Sequence, residues 1–175
     1  MLTRASNGTS AGFTVTSTEG LPDAGGLDVD AALVAHVGAA YAVLDPQRWQ
    51  RLQHPVDATD RRARWTLWED IRTAKEMLSR SSSTSIHVPL YDRDTVLTRD
   101  QFEVLARPVI DRTVAAARAA QAAAGGAAPS AILLVGGSSR IPLAATVLHR
   151  VTGVAPTTLE QPETAVAEGA ALHAG

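Results

Sequence analysis

The segment Ala131-Ile132-Leu133-Leu134-Val135-Gly136-Gly137-Ser138-Ser139-Arg140-Ile141-Pro142 restricts what this chain can fold into more than any other stretch. Its five leading apolar residues, rich in Ile, Leu and Val, predict a strand covered on both faces. Gly136 and Gly137 permit a sharp turn and let the backbone approach a ligand that any Cβ would block. Ser138 or Ser139 is placed to cap the helix that follows, and Pro142 suits its first turn. A helix start of this kind offers free backbone N–H groups and a partial positive charge, a seat for phosphate or for the polar groups of a nucleotide. Arg140 adds a planar cation able to stack on a base. An ordinary strand-to-helix turn has the same pattern, so spacing alone leaves nucleotide binding and plain packing both open.

Composition excludes several classes. The chain has 175 residues, enough for a domain with its own core, with 45% apolar and 19% charged residues. A net charge of -2 gives no broad electrostatic attraction to nucleic acid. Without cysteine there is neither a disulfide nor a thiolate metal site, which fits a cytoplasmic location. The five histidines show no ligand spacing, so no metal site is expected. No apolar run approaches the ~20 residues of a membrane span, and no signal peptide is visible. Asn7-Gly8-Thr9 matches the glycosylation acceptor pattern by chance in a polar start.

Periodicity places the elements. Residues 1 to about 12 read as a frayed start, and Phe13 to Ser17 as a short strand. A glycine-rich turn leads to a helix opening at Asp28 or Asp30, with Val29, Leu33, Val34, Val37, Tyr41 and Leu44 at helical spacing, ended by Asp45-Pro46. A polar connection reaches Asp57, then a helix runs from Ala58 to Ser79. Trp49, Trp65 and Trp68 read as packing residues. Ile86 to Leu90 reads as an edge strand because Pro89 cannot donate to a ladder, with a hairpin tip at Asp92-Arg93-Asp94. Thr98-Arg99-Asp100-Gln101 is a capping box for a long helix to about Ala124, kinked or broken at Pro108 and terminated by Gly125-Gly126. After the glycine turn come a helix to about Val151, a loop around Gly153 to Pro156, and a last helix from about Pro162 to Leu172.

Four segments in fixed order resemble the DnaK-type heat-shock chaperone ATPases of the actin-like ATPase superfamily. Leu134 to Pro142 is similar to that family's adenosine motif. Ala24-Gly25-Gly26-Leu27-Asp28-Val29-Asp30 resembles its LGG-x-D-F-D turn, and Ala74-Lys75-Glu76-Met77-Leu78-Ser79 its A-K-x-x-L-S helix end. Gln161 to Ala171 resembles its N-P-D-E-A-V-A-x-G-A-A helix. The likeness runs from about Phe13 to the C-terminus.

The resemblance implies an α/β fold, the second lobe of a two-lobed ATPase. Residues 1–25 would give a start and a partial ribonuclease-H-like strand, 26–124 a helix-rich cap subdomain with a small antiparallel sheet, and 125–175 the rest of the ribonuclease-H-like part. It implies ATP or ADP as ligand, with magnesium in the parent protein and none held tightly here. Gly26, Gly136 and Gly137 would line the nucleotide. Ser138 and Arg140 would contact the adenine, Lys75 and Ser79 would approach the nucleoside from the cap, and Glu163 would stand near the adenine pocket. The implied partners are the first lobe of the same protein and an exchange factor or co-chaperone on the cap, with an edge-strand dimer possible. An interaction module with a degenerate nucleotide site, or a sugar or acetate kinase lobe, is the competing reading.

Each of these residues also has a plainer role. Lys75 and Glu76 suit solvated charges on a helix, Ser79 a helix end, and Glu163 a favourable charge at a helix start. Three positions depart from the family. Arg72 stands where a ribose-binding carboxylate is usual, and arginine cannot accept those hydrogen bonds. Glu76 replaces a residue that covers the adenine, and Leu27 replaces an acid. No D-x-G-G-G or G-x-x-x-x-G-K segment occurs, so the phosphate-cradling loops that phosphoryl transfer needs are expected elsewhere in a larger ATPase of which this chain is a piece.

Overall fold

The structure, a computed structural model, describes residues 1–4 and 13–174. Its elements are β1 (Leu2–Arg4), β2 (Phe13–Val15), α1 (Gly26–Leu44), α2 (Pro46–Gln53), α3 (Ala58–Leu78), β3 (Ser83–Val88), β4 (Arg93–Thr98), α4 (Arg99–Ala123), β5 (Ile132–Leu134), α5 (Pro142–Thr152), β6 (Pro156–Thr158) and α6 (Ala165–Ala174), with a 3-10 turn at Gly137–Arg140. The chain divides into two compact units, one of Gly25–Pro108 and one of Met1–Ala24 with Val109–Gly175.

The unit Gly25–Pro108 is a helical layer on a hairpin. Val29, Leu33, Val37 and Tyr41 form one stripe of α1 and are buried with Leu67, Ile71, Ala74 and Leu78 of α3. Ile86, Val88 and Leu97 of the hairpin and Phe102 and Ala106 of α4 complete this core. Each Val, Leu, Ile or Phe among them contributes about 1.5–3 kcal/mol when fully buried. α1 opens earlier than the expected Asp28 or Asp30. Gly25 is its N-cap, and Asp28 reaches back to accept the Gly25 N–H at 2.7 Å. Contrary to the sequence reading, α1 is long and apolar enough to cross a membrane by length and composition. It packs instead on α2 and α3, with Asp30 buried on its inner face.

α2 lies where a polar connection was expected. Asp45 caps it by accepting the Arg48 N–H at 3.1 Å, Pro46 occupies its first turn, and its only buried side chains are Trp49 and Leu52. Two apolar residues in eight were too few to show a period. α1 and α2 approach closely because residue 38 is glycine: a Cβ there would lie 2.3 Å from the Trp49 ring. α3 is capped by Asp57, which accepts the Asp60 N–H at 2.8 Å. The fully buried Asp60 carboxylate then accepts from Arg51 Nε at 2.9 Å and pairs with its Nη2 at 2.7 Å. These hydrogen bonds from Arg51 hold Asp60 below the usual carboxylate range.

The hairpin pairs Ser83 with Thr98 through Val88 with Arg93. Its tip is residues 89–92 and not Asp92-Arg93-Asp94, because Leu90 and Asp92 take positive φ while Arg93 and Asp94 are already paired. Pro89 therefore sits in the turn. The Thr98 capping box forms as expected, Thr98 N–H to Gln101 Oε1 at 3.0 Å and Gln101 N–H to Thr98 Oγ1 at 3.3 Å. α4 continues through Pro108 without the expected break, and the boundary between the units falls directly after it.

In the other unit, β1 pairs antiparallel with β2, so Leu2–Arg4 is ordered strand where a frayed start was expected. Asn7-Gly8-Thr9 lies outside the described residues. α4 ends on Gly125-Gly126 with Gly126 N–H to Gln121 O at 2.9 Å. β5 pairs in parallel with β6, Ile132 opposite Pro156 and Leu134 opposite Thr158, so a strand replaces the expected loop. β5 is not covered on both faces, since Leu133 is 62% exposed, and β6 is its one hydrogen-bonded neighbour among the described residues. α6 begins at Ala165, after a turn at 161–164 that Thr164 ties back to Gln161.

Candidate functional site

The glycine turn is built from both of its flanks. Gly136 has φ +85°, a conformation that favours glycine, and its N–H donates to the carbonyl of the buried Pro162 at 2.5 Å. Ser139 N–H to Gly136 O and Ile141 N–H to Ser138 O, at 3.0 and 3.1 Å, close the 3-10 turn. Neither serine caps α5. Ile141 holds the N-cap position with no side-chain bond, because the 3-10 turn ends there, and Pro142 takes the first turn as expected. Ser139 Oγ is buried without a partner. A Cβ built on Gly136 or Gly137 would meet nothing within 4 Å, so this face of the turn is open.

Arg140 and Glu163, 23 residues apart, meet beside the turn. Arg140 Nη2 donates to both Glu163 carboxylate oxygens at 3.0 Å and to the Glu160 carbonyl at 3.3 Å. Both side chains are about half exposed. The hydrogen bond from Arg140 is the main cause that lowers the Glu163 carboxyl below its ordinary range.

Gly26, Lys75 and Ser79 belong to the other unit. Lys75 is not a solvated charge. Its side chain is 13% exposed, with Nζ 2.7 Å from Asp30 Oδ1, 2.9 Å from Oδ2 and 3.1 Å from the Gly26 carbonyl. The lysine thereby ties the end of α3 to the start of α1. Asp30 was absent from the sequence reading as a site residue, although it is the last acid of the Ala24–Asp30 turn. Ser79 Oγ donates to the Glu76 carbonyl at 2.6 Å, and Arg72 lies 3.8 Å from Glu76 on the exposed face of α3. Leu27 is exposed.

One tryptophan departs from the packing role. Trp49 is buried, and Trp68 is half-buried with the Arg64 guanidinium 5.7 Å from its ring. Trp65 is 65% exposed, because it falls on the side of α3 opposite the Leu67, Ile71 and Leu78 stripe, with exposed Arg61 and Arg62 one turn before it. No group of three or more His, Asp or Glu side chains able to hold a metal gathers among the described residues.

Comparison with known proteins decides the family. The profile of the Hsp70 protein family matches residues 5–175. The chain belongs to the Hsp70 family. It is similar to a chaperone protein HscA homolog of Bordetella pertussis, 35% identical over 167 residues, which are 93% of this chain and 25% of that protein. It is similar to a mitochondrial heat shock 70 kDa protein of Pisum sativum, 32% identical over 93% of this chain and 24% of that one. A chaperone protein DnaK of Prochlorococcus marinus is 31% identical, over 93% of this chain and 26% of its own length. The chain thus spans about a quarter of the length of these Hsp70 relatives. All four motif segments fall inside the Hsp70 match.

Proposed function

We propose that this chain supplies one wall of the ATP or ADP pocket of an Hsp70-type chaperone ATPase in the cytoplasm, as part of the second lobe, and that it hydrolyses no ATP by itself. In this reading residues 26–124 are the cap and the flanking segments the ribonuclease-H-like part. The observation that carries it is the open turn at Gly136-Gly137, with φ +85° at Gly136 and Arg140 held beside it. Backbone there is free to approach a sugar, and the guanidinium offers a flat face to adenine. Ser138, exposed on the same turn, supplies a hydroxyl to the base.

In the unit Gly25–Pro108, Lys75 and Ser79 are satisfied within the protein, by Asp30 and Gly26 and by Glu76. In this reading Lys75 ties the end of α3 to the start of α1, and Ser79 closes the end of α3. No group of three or more carboxylates or imidazoles gathers among the described residues to hold magnesium. Without phosphate contacts, such a wall binds on the order of millimolar, roughly -4 kcal/mol. Calorimetry with ADP and a turnover assay with ATP test this. Millimolar ADP binding that Arg140→Ala removes, with no hydrolysis, is expected. Turnover that disappears in Arg140→Ala would sink the reading.

The outer face of α3 favours a second role as docking surface for an exchange factor or co-chaperone. Its observation is Trp65, an exposed aromatic flanked by exposed Arg61 and Arg62, the residue types that anchor protein interfaces. Trp65→Ala should weaken such a complex in a pull-down and leave ADP binding unchanged.

A further inference from the structure

We propose that Met77 is a peroxide-sensitive modification site, oxidised to the sulfoxide on the folded chain, and that Thr84 holds the new oxygen so that oxidation tightens the join between α3 and β3.

The sulfur content of the chain narrows the choice. Cysteine is absent, and the two methionines are Met1 at the chain start and Met77 on the last turn of α3. Inside the chain, oxidation of sulfur therefore falls on one side chain. Methionine is among the residues most often buried. Met77 is 38% exposed, because it lies beside the buried stripe of Leu67, Ile71, Ala74 and Leu78 and not within it. A thioether reacts where an oxidant reaches it. The oxidant is hydrogen peroxide. The sulfur lone pair attacks one peroxide oxygen, and the S–O bond forms as the O–O bond breaks. The departing hydroxide takes the proton of the transferred oxygen and leaves as water. Sulfur loses two electrons and the peroxide gains them.

The surroundings suit the product. Thr84 Oγ1 donates to Met77 Sδ at 3.6 Å, joining the end of α3 to β3. A thioether is a weak acceptor, whereas a sulfoxide oxygen is polar and takes a full O–H···O bond. The methionine side chain turns about three bonds, so the oxygen can swing to the hydroxyl already beside it. The backbone does not depend on the change. The Met77 carbonyl accepts the N–H groups of Arg80 at 3.0 Å and Ser81 at 2.8 Å, which close α3 whatever the side chain does. A sulfoxide in a core breaks packing. At Met77 it stands at the surface with a donor waiting, so oxidation adds a bond between helix and strand.

The test is hydrogen peroxide treatment of the full chain, read by peptide mass mapping and amide hydrogen exchange. In the folded wild type Met77 should gain one oxygen at a rate comparable to free methionine in the same solution, and a methionine sulfoxide reductase should remove it. Amides of β3 should then exchange about threefold more slowly, the scale of one hydrogen bond. Thr84→Val should still take up the oxygen and lose the slowing, and Thr84→Ser should keep it. Met77→Leu should show no effect of peroxide on β3. A Met77 that stays unreacted while free methionine oxidises would overturn the site. Faster exchange in oxidised β3, or slowing that survives in Thr84→Val, would overturn the role of Thr84. Slowing in peroxide-treated Met77→Leu would overturn both, even if Thr84→Val does not fold.

Discussion

The two compact units are built in different ways. Gly25–Pro108 buries side chains from four helices and a hairpin, and within it even charged groups are enclosed, Asp60 on Arg51 and Asp30 on Lys75. The other unit holds, among its described residues, four strands of three residues each, and Leu2, Phe13, Val15, Leu133, Val135, Val166 and Leu172 are exposed. Helices bury one stripe each against close neighbours in sequence, so such a unit completes its own core. Two-stranded sheets leave a face and an edge open. The open turn at Gly136 lies in the second kind of unit, where backbone is accessible.

Core truncation should separate the units most sharply. Phe102→Ala removes a fully buried ring and should cost about 3–5 kcal/mol in chemical denaturation. Leu133→Ala, on the exposed face of β5, should stay within about 0.5 kcal/mol. Equal losses would erase the contrast.

Lys75→Met comes next. It leaves the buried Asp30 carboxylate without its cation and should cost about 3 kcal/mol. Adding Asp30→Asn should recover part of that loss. If Lys75→Met is neutral in stability yet abolishes ADP binding, the lysine serves the ligand and not the core.

Acid provides the subtlest contrast. Arg51 lowers the folded-state pKa of Asp60, and Arg140 does the same for Glu163. Each pair therefore stabilises the fold fully above the ordinary carboxylate pKa of about 4, and that stability is lost as pH falls through the lowered folded value. Thermal melts from pH 6 to pH 3 should show Asp60→Asn flattening the acid loss more than Glu163→Gln, because Asp60 is buried and Glu163 is half exposed. The reverse order would place the stronger coupling in the open unit.

The legibility of the sequence follows the same division. α1, α3 and α4 were readable because their apolar residues repeat at helical spacing and Thr98 and Gln101 form a local cap. α2 was missed because tertiary contact of Trp49 with Gly38, not periodicity, holds it. β6 was missed because Pro156, Thr157 and Thr158 carry no strand pattern and pair only through β5. The glycine turn was readable from Gly136 and Gly137. Its side-chain partner was not, since nothing local links Arg140 to Glu163. The plainer role of Lys75, a solvated charge, does not hold for the same reason: Asp30 lies 45 residues away.

The most direct test of the nucleotide wall is residue-resolved NMR of the whole chain with ADP. The account predicts weak, saturable shifts centred on Gly136, Gly137, Ser138, Arg140 and Glu163, with a constant on the order of millimolar and little change at Trp65 or Ile86. Shifts centred on Trp65 and Ile86, with the Gly136 turn unmoved, would contradict it.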